Sequence, residues 1–184
     1  MGQNKALLRP VPGGMSLIEM VVARLAESGL ANPILITNNP DEYAFLGLET
    51  VPDEIRGLGP IGGVLTALRH SSSDRVLVVA CDMPFLNPAL LRYMCSVPGE
   101  YDALAPAWND AEGIARFEPL HTIYSKSGMP VIEQRIAQEK LRMGDLLGAL
   151  NTKYISQEEV RVYDPRLLSF QNINTPEEYE RLLI

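Results

Sequence analysis

The chain has 184 residues, 46% hydrophobic and 21% charged, enough for one core that needs neither metal nor disulfide to fold, while two full-sized domains would be cramped. Sixteen Lys and Arg against 23 Asp and Glu give a formal charge of −7, which argues against a general nucleic-acid binder, whose phosphate contacts need a basic face. No apolar run approaches the ~20 residues of a membrane span, no leader pattern opens the chain, and Cys81 and Cys95 are too few for a disulfide framework or a four-cysteine zinc site. One soluble, cytoplasmic domain over residues 1–184 is expected.

The first helix starts after Ser16, where Glu19 can close a capping box, and Leu17, Val21 and Leu25 share one face with Ile18 and Val22. Gly29 ends it. The run Pro33-Ile34-Leu35-Ile36-Thr37 reads as a short strand stopped by Asn38-Asn39-Pro40. A short helix over 41–46 and a second short strand over 48–51 follow. Gly57 to Gly63 is a glycine-rich turn opening a helix that runs to His70. The unbroken apolar run Arg75 to Ala80 suggests a strand buried on both faces, in the middle of a parallel sheet.

Asn87-Pro88 begins another helix, with Asn at the cap and Pro in the first turn. Strands are expected over 101–105 and 116–124, helices over 127–139 and 143–150, and two weaker strands within 152–163 on either side of Gln157 and Glu158. Thr175-Pro176-Glu177-Glu178 is a second capping box, starting a terminal helix. Strands alternating with helices through the first half indicate an α/β fold of three layers around a mostly parallel sheet.

In such a sheet ligands bind beyond the carboxyl ends of the strands. The residues there are Thr37-Asn38-Asn39, Pro52-Asp53-Glu54 and Cys81-Asp82-Met83-Pro84, three polar clusters expected along one rim. Asp82 can hold Mg²⁺ shared with substrate phosphates, because that ion takes one or two protein carboxylates and several other oxygens; it can equally cap the turn before Pro84. Cys81 reads as a small core residue. The glycines of 57–63 enter a helix whose first N–H groups are unpaired, which favours an anion or a close ligand ring; their spacing fits neither a Walker A loop nor a dinucleotide fingerprint. Lys5 alone would be a solvated surface lysine. His70 and His121 lack a second ligand at metal spacing, Trp108 reads as a loop or surface aromatic, and Asn172 and Asn174 either satisfy backbone groups or face a ligand.

Together these segments resemble the molybdenum cofactor guanylyltransferases, which transfer GMP from GTP to the phosphate of molybdopterin and release pyrophosphate. The matching pieces, in order, are Met1-Gly2-x-x-Lys5-Ala6-Leu7-Leu8, Val51-Pro52-Asp53, Gly59-Pro60-Ile61-x-Gly63, Ala80-Cys81-Asp82-Met83-Pro84, Glu118-Pro119-Leu120-His121 and Phe170-x-Asn172-x-Asn174-Thr175-Pro176-Glu177. The resemblance implies a Rossmann-like nucleotidyltransferase fold, GTP and molybdopterin as partners, and Mg²⁺ as cofactor. It implies that Asp82 and Lys5 are the catalytic pair, Asp82 holding the metal and Lys5 meeting the GTP phosphates. Thr37, Asp53, Gly59 and Pro60 then belong to the nucleotide and Asn172 and Asn174 to the pterin substrate; Thr37 stands where Asn is expected. The family's Leu-Ala-Gly-Gly-x-Ser-x-Arg strand and turn would precede Met1, so the resemblance also implies that the first strand is missing, that the domain is truncated at its start and that GTP handling is impaired. A CTP-using or sugar-phosphate nucleotidyltransferase, and a non-catalytic nucleotide- or cofactor-binding module, stay open as alternatives, as do homo-oligomerisation and partners in molybdoenzyme maturation.

Overall fold

In chain order the computed structural model, which describes residues 4–30, 32–110 and 112–183, forms α1 (Leu17–Glu27), β1 (Ile34–Ile36), β2 (Glu49–Val51), α2 (Pro60–His70), β3 (Arg75–Val79), α3 (Pro88–Ser96), β4 (Ala103–Asn109), β5 (Ala115–Phe117), β6 (His121–Ser125), α4 (Met129–Ala137), α5 (Leu146–Ala149), β7 (Thr152–Ile155), α6 (Gln157–Tyr163) and α7 (Pro176–Leu183). Two compact units result: Met1–Pro33, Val79–Ser96 and Glu158–Ile184 make the first, Ile34–Val78 and Val97–Gln157 the second. No described helix is long and apolar enough to cross a membrane.

The first unit is a helical cluster whose ends are fixed by local polar bonds. The Glu19 carboxylate accepts from the Ser16 backbone N–H at 2.8 Å and from its hydroxyl at 2.7 Å, so α1 starts where the capping signal puts it. Leu17, Ile18, Val21 and Leu25 are its buried face, the apolar stripe that the 3.6-residue period requires. Asn87 caps α3 through Oδ1, which accepts from the N–H groups of Ala89 and Leu90 at 2.9 and 3.1 Å, while its Nδ2 donates to the Tyr163 carbonyl. That bond ties α3 to the end of α6, where the Tyr93 and Tyr163 rings stack at 4.9 Å. Phe85 stacks on Tyr179 of α7 at 5.1 Å.

The second unit holds the strands. β1 and β2 pair in parallel as a two-stranded sheet. The larger sheet has five strands, in the order β3-β6-β4-β5, with β7 also on β4. Ile61, Val64, Leu65 and Leu68 of α2 pack with Ala103 and Ala105 of β4, Tyr124 of β6, Ile132 of α4 and Leu146 of α5 to form its core.

The α/β class holds, but the larger sheet is not mostly parallel. β4 runs antiparallel to β5 and β6 and parallel to β7. Between β4 and β5 Asp110 Oδ1 accepts from the Ile114 N–H at 2.8 Å, and so short a link cannot make the crossover that parallel neighbours need. The single strand expected over 116–124 is β5 and β6, separated where the Glu118 carbonyl accepts from the His121 N–H at 3.0 Å and from the Thr122 hydroxyl at 2.8 Å; Pro119 inside that turn has no ladder N–H to give. β3 is only half-buried and ends the strand order. The strands paired on both sides are β6, buried along its whole length, and β4, buried over Ala103–Pro106. Of the two strands expected within 152–163 the first is β7; in place of the second, Gln157 opens α6, with Glu158 and Glu159 in its first turn and Arg161 in its last, a charge order that suits the helix dipole.

Glu19→Ala is expected to cost about 1 kcal/mol at neutral pH. The Ser16 N–H bond holds the Glu19 carboxyl below its ordinary range, so this stability is present above the unfolded value of ~4.3 and is lost as pH falls through the folded value. Urea melts at pH 7 and pH 3 check it; an equal penalty at both would show that the carboxylate is not the cap.

Candidate functional site

Within the first unit, the turn after β3, the 3-10 turn Lys5–Leu7 and the segment before α7 meet. Met83 and Ile173 are fully buried at 0% exposure, and the Ile173 N–H donates to the Asp82 carbonyl at 2.9 Å. That bond fixes the Asn-x-Asn segment against the strand end. Asn174, exposed beside the buried Ile173, accepts from the Lys5 ammonium through Oδ1 at 2.6 Å. Ala6, 2% exposed, anchors the turn that carries Lys5. Three expected site residues from distant parts of the sequence, Lys5, Asp82 and Asn174, are thus brought together. Asn172 is exposed and the structure gives its side chain no defined role.

Asp82 is half-buried. Burial pushes its carboxyl above the usual carboxylate range, while its own backbone N–H and the Lys5 charge pull the other way. A carboxylate so placed is short of compensating charge, the condition under which a hard divalent cation is welcome. No group of three or more His, Cys, Asp or Glu that could hold a metal occurs among the described residues, so any ion here would take its other ligands from substrate and water. That donor set suits Mg²⁺, which keeps most of its shell for phosphate and water. The adjacent Cys81, expected in the core, is exposed.

In the second unit the ends of β1 and β2 form a separate polar cluster. Pairing of Ile36 with Val51 continues through the Thr37 N–H, which donates to the Val51 carbonyl at 2.9 Å, and sets Asn38 beside Asp53. Asn38 Nδ2 donates to Asp53 Oδ2 at 2.8 Å, and the Asp53 N–H donates to Asn38 Oδ1 at 3.2 Å. This reciprocal pair locks both side chains. Asn38 is therefore the residue of the 37–39 cluster that engages Asp53, while Thr37 spends its hydroxyl on a local turn, accepting from the Asn39 N–H at 3.1 Å.

Gly59 precedes α2 with φ 66 and ψ −153, a conformation open essentially to glycine alone. Pro60 then opens the helix with its φ already set and no N–H to leave unpaired. A Cβ on Gly62 would sit 2.9 Å from Leu58 Cβ, whereas one on Gly63 would make ordinary contact with Asp53 Oδ1 at 3.8 Å. Close packing therefore accounts for Gly62, and Gly63 lies beside the Asn38–Asp53 pair. His70 is bonded to Glu49 at 2.8 Å and His121 is buried. Trp108 is half-buried on β4 rather than in a loop.

Asp82→Asn is expected to raise stability at pH 7, on the scale of roughly 0.5–2 kcal/mol common to single stabilising substitutions, because it removes a charge that burial disfavours. The native state holds the Asp82 proton more tightly than the unfolded chain, so stability falls as pH climbs from ~3.9 through the folded value and stays lowered above it. Thermal melts should show the variant's advantage at pH 7 and none at pH 3; an advantage at pH 3 as large as at pH 7 would mean that charge burial is not its source.

A model of the MobA-like NTP transferase domain matches residues 1–153. The probable molybdenum cofactor guanylyltransferase of Carboxydothermus hydrogenoformans is 37% identical over 183 residues, 100% of this chain and 88% of that protein. Its counterpart from Pelotomaculum thermopropionicum is 35% identical over 177 residues, 96% of this chain and 82% of that one. Among solved structures, the molybdopterin-guanine dinucleotide biosynthesis protein A of Archaeoglobus fulgidus is similar at a TM-score of 0.75 and 29% identity, covering 98% of this chain and 89% of that chain.

Proposed function

The chain belongs to the MobA-like NTP transferase family, and from that premise we propose that it is a molybdenum cofactor guanylyltransferase, moving GMP from GTP to molybdopterin with release of pyrophosphate. The observation that carries this reading is the meeting of Lys5, Asp82 and Asn174 in one unit, because those are the positions at which the transfer needs a cation, a carboxylate and a polar group.

A phosphate oxygen of molybdopterin attacks the α-phosphorus of GTP in line, the bond to the β-phosphate oxygen breaks, and pyrophosphate leaves. Such a transfer needs no covalent enzyme intermediate; it depends on positioning and on charge stabilisation. Lys5 places one positive charge against the phosphates. Asp82 is the residue to hold Mg²⁺, which when bound neutralises charge on the phosphate oxygens. Asn174 and Asn172 serve the pterin side. Asp53, locked by Asn38, and the turn of Gly59 and Pro60 are the second unit's candidate nucleotide contacts, Asp53 offering a carboxylate acceptor. With a formal charge of −7, the protein's field repels both polyanionic substrates, so the local lysine matters more than it would on a basic protein.

Incubation with GTP, molybdopterin and Mg²⁺, followed by detection of the dinucleotide product and pyrophosphate, tests the reading. GTP should be used in preference to CTP, and Asp82→Ala should lower kcat/KM by ~100-fold or more, the scale on which loss of a charge-stabilising group acts. Equal rates for wild type and Asp82→Ala would remove Asp82 from the mechanism, and a preference for CTP would reassign the donor. Asn38→Ala is expected to weaken nucleotide binding about tenfold, the cost of roughly 1.4 kcal/mol, with little change in kcat; an unchanged KM for GTP would detach the Asn38–Asp53 pair from the nucleotide.

A further inference from the structure

We propose that Glu178, on the first turn of α7, is a positioning residue that orients the Asn174 carboxamide and through it holds the Lys5 ammonium. The inference rests on the reading of Lys5 as the phosphate-facing cation and adds a residue to it.

One carboxylate oxygen of Glu178, Oε2, accepts twice from Asn174: from the backbone N–H at 2.7 Å and from Nδ2 at 3.2 Å. With Nδ2 drawn to the anion, Oδ1 is the atom left for Lys5, whose Nζ it meets at 2.6 Å. The opposite amide orientation would set an NH₂ donor against an ammonium donor and leave the carboxylate facing a carbonyl oxygen. The Glu178 anion therefore decides which way the amide faces. The bond it receives from the Asn174 N–H holds its carboxyl below the ordinary range, so it is an anion at neutral pH. Helix capping is done by another residue, since the Glu178 N–H donates to the Thr175 hydroxyl at 3.2 Å.

The interposed amide has a chemical consequence. A carboxylate placed directly on Lys5 would form an ion pair and offset its charge. Here the acid is one residue removed, and Lys5 is held by a neutral acceptor. Its side chain is fixed while its positive charge stays available to an anionic substrate. The same carboxylate secures the backbone of Asn174, the residue following the Ile173 N–H bond to Asp82, so one acid steadies both polar partners of the strand end.

The test measures the relay directly and then its effect on turnover. In the full chain without nucleotide, competitive acylation of amines read by mass spectrometry reports how tightly Lys5 is held. Glu178→Ala should raise Lys5 labelling about threefold or more, the lower range for coupling between contacting groups, with Glu178→Gln intermediate. Thr175→Ala, which removes the cap alone, should lower the melting temperature and leave Lys5 labelling at the wild-type rate. With GTP and molybdopterin, Glu178→Ala should raise the KM for GTP, and the same substitution made in an Asn174→Ala background should add much less, through the backbone bond alone. Unchanged Lys5 labelling in both Glu178 variants, equal labelling in Thr175→Ala and Glu178→Ala, or fully additive effects with Asn174→Ala would each overturn the proposal. A wild-type chain without turnover on any nucleotide would contradict the assigned reaction instead, while the labelling result would still decide the relay.

Discussion

The backbone bond from Ile173 to the Asp82 carbonyl is the constraint on which the cluster of Lys5, Asp82 and Asn174 depends. It joins the tip of β3 to the chain's last loop, and it does so with a residue that is fully buried. In extended backbone, side chains alternate between faces, so sinking Ile173 into the core leaves Asn172 and Asn174 exposed. Asn174 then needs only its own hydrogen bonds to reach Lys5. A backbone tie combined with an apolar anchor is cheaper to maintain than a buried ion pair, since no charge has to be desolvated to hold the segment in place.

Charge is arranged sparingly around this anchor. Asp82 is half-buried with its carboxyl pushed above its ordinary range, and Lys5 is exposed and bonded to a neutral amide. Among the described residues neither forms a salt bridge, and the Lys5 charge is the one that acts on Asp82. The acids that do have structural duties, Glu19 at α1 and Glu178 at α7, are held below their ordinary range by backbone N–H groups. These two helix-start acids are stabilised as anions, whereas Asp82, for which we propose a part in the transfer, is not, a difference in environment of the kind that sets functional acids apart from structural ones.

Signals confined to a few adjacent residues were legible in the sequence. The Ser16–Glu19 box and the Asn87 cap rest on side chains that meet nearby backbone, and the glycine-rich entry to α2 on the positive φ of Gly59 and the fixed φ of Pro60. Features that depend on which strands become neighbours were not. The apolar run of β3 is a fair statement of hydrophobicity, but burial depends on pairing, and β6 and β4 occupy the doubly paired positions. Thr37 was the natural choice as the first polar residue after β1. The parallel register that pairs Ile36 with Val51 extends two residues on to Asn38 and Asp53, and it can be found only once the two strands are known to be partners. Glu178 was visible as part of a capping box; its hold on Asn174 was hidden because the box is shifted by one residue, with the carboxylate reaching the Asn174 N–H rather than that of Thr175.

The most direct measurement is the amide shift map of the ¹⁵N-labelled chain as Mg·GTP is added, which reports even weak binding residue by residue. If the triphosphate is received at the strand end anchored by Ile173, the amides of Lys5, Asp82 and Asn174 move together along one saturable titration curve, and the same addition to Asp82→Asn leaves them nearly still. Shifts that bypass all three residues, or that persist undiminished in the variant, would contradict the assignment of this cluster to GTP.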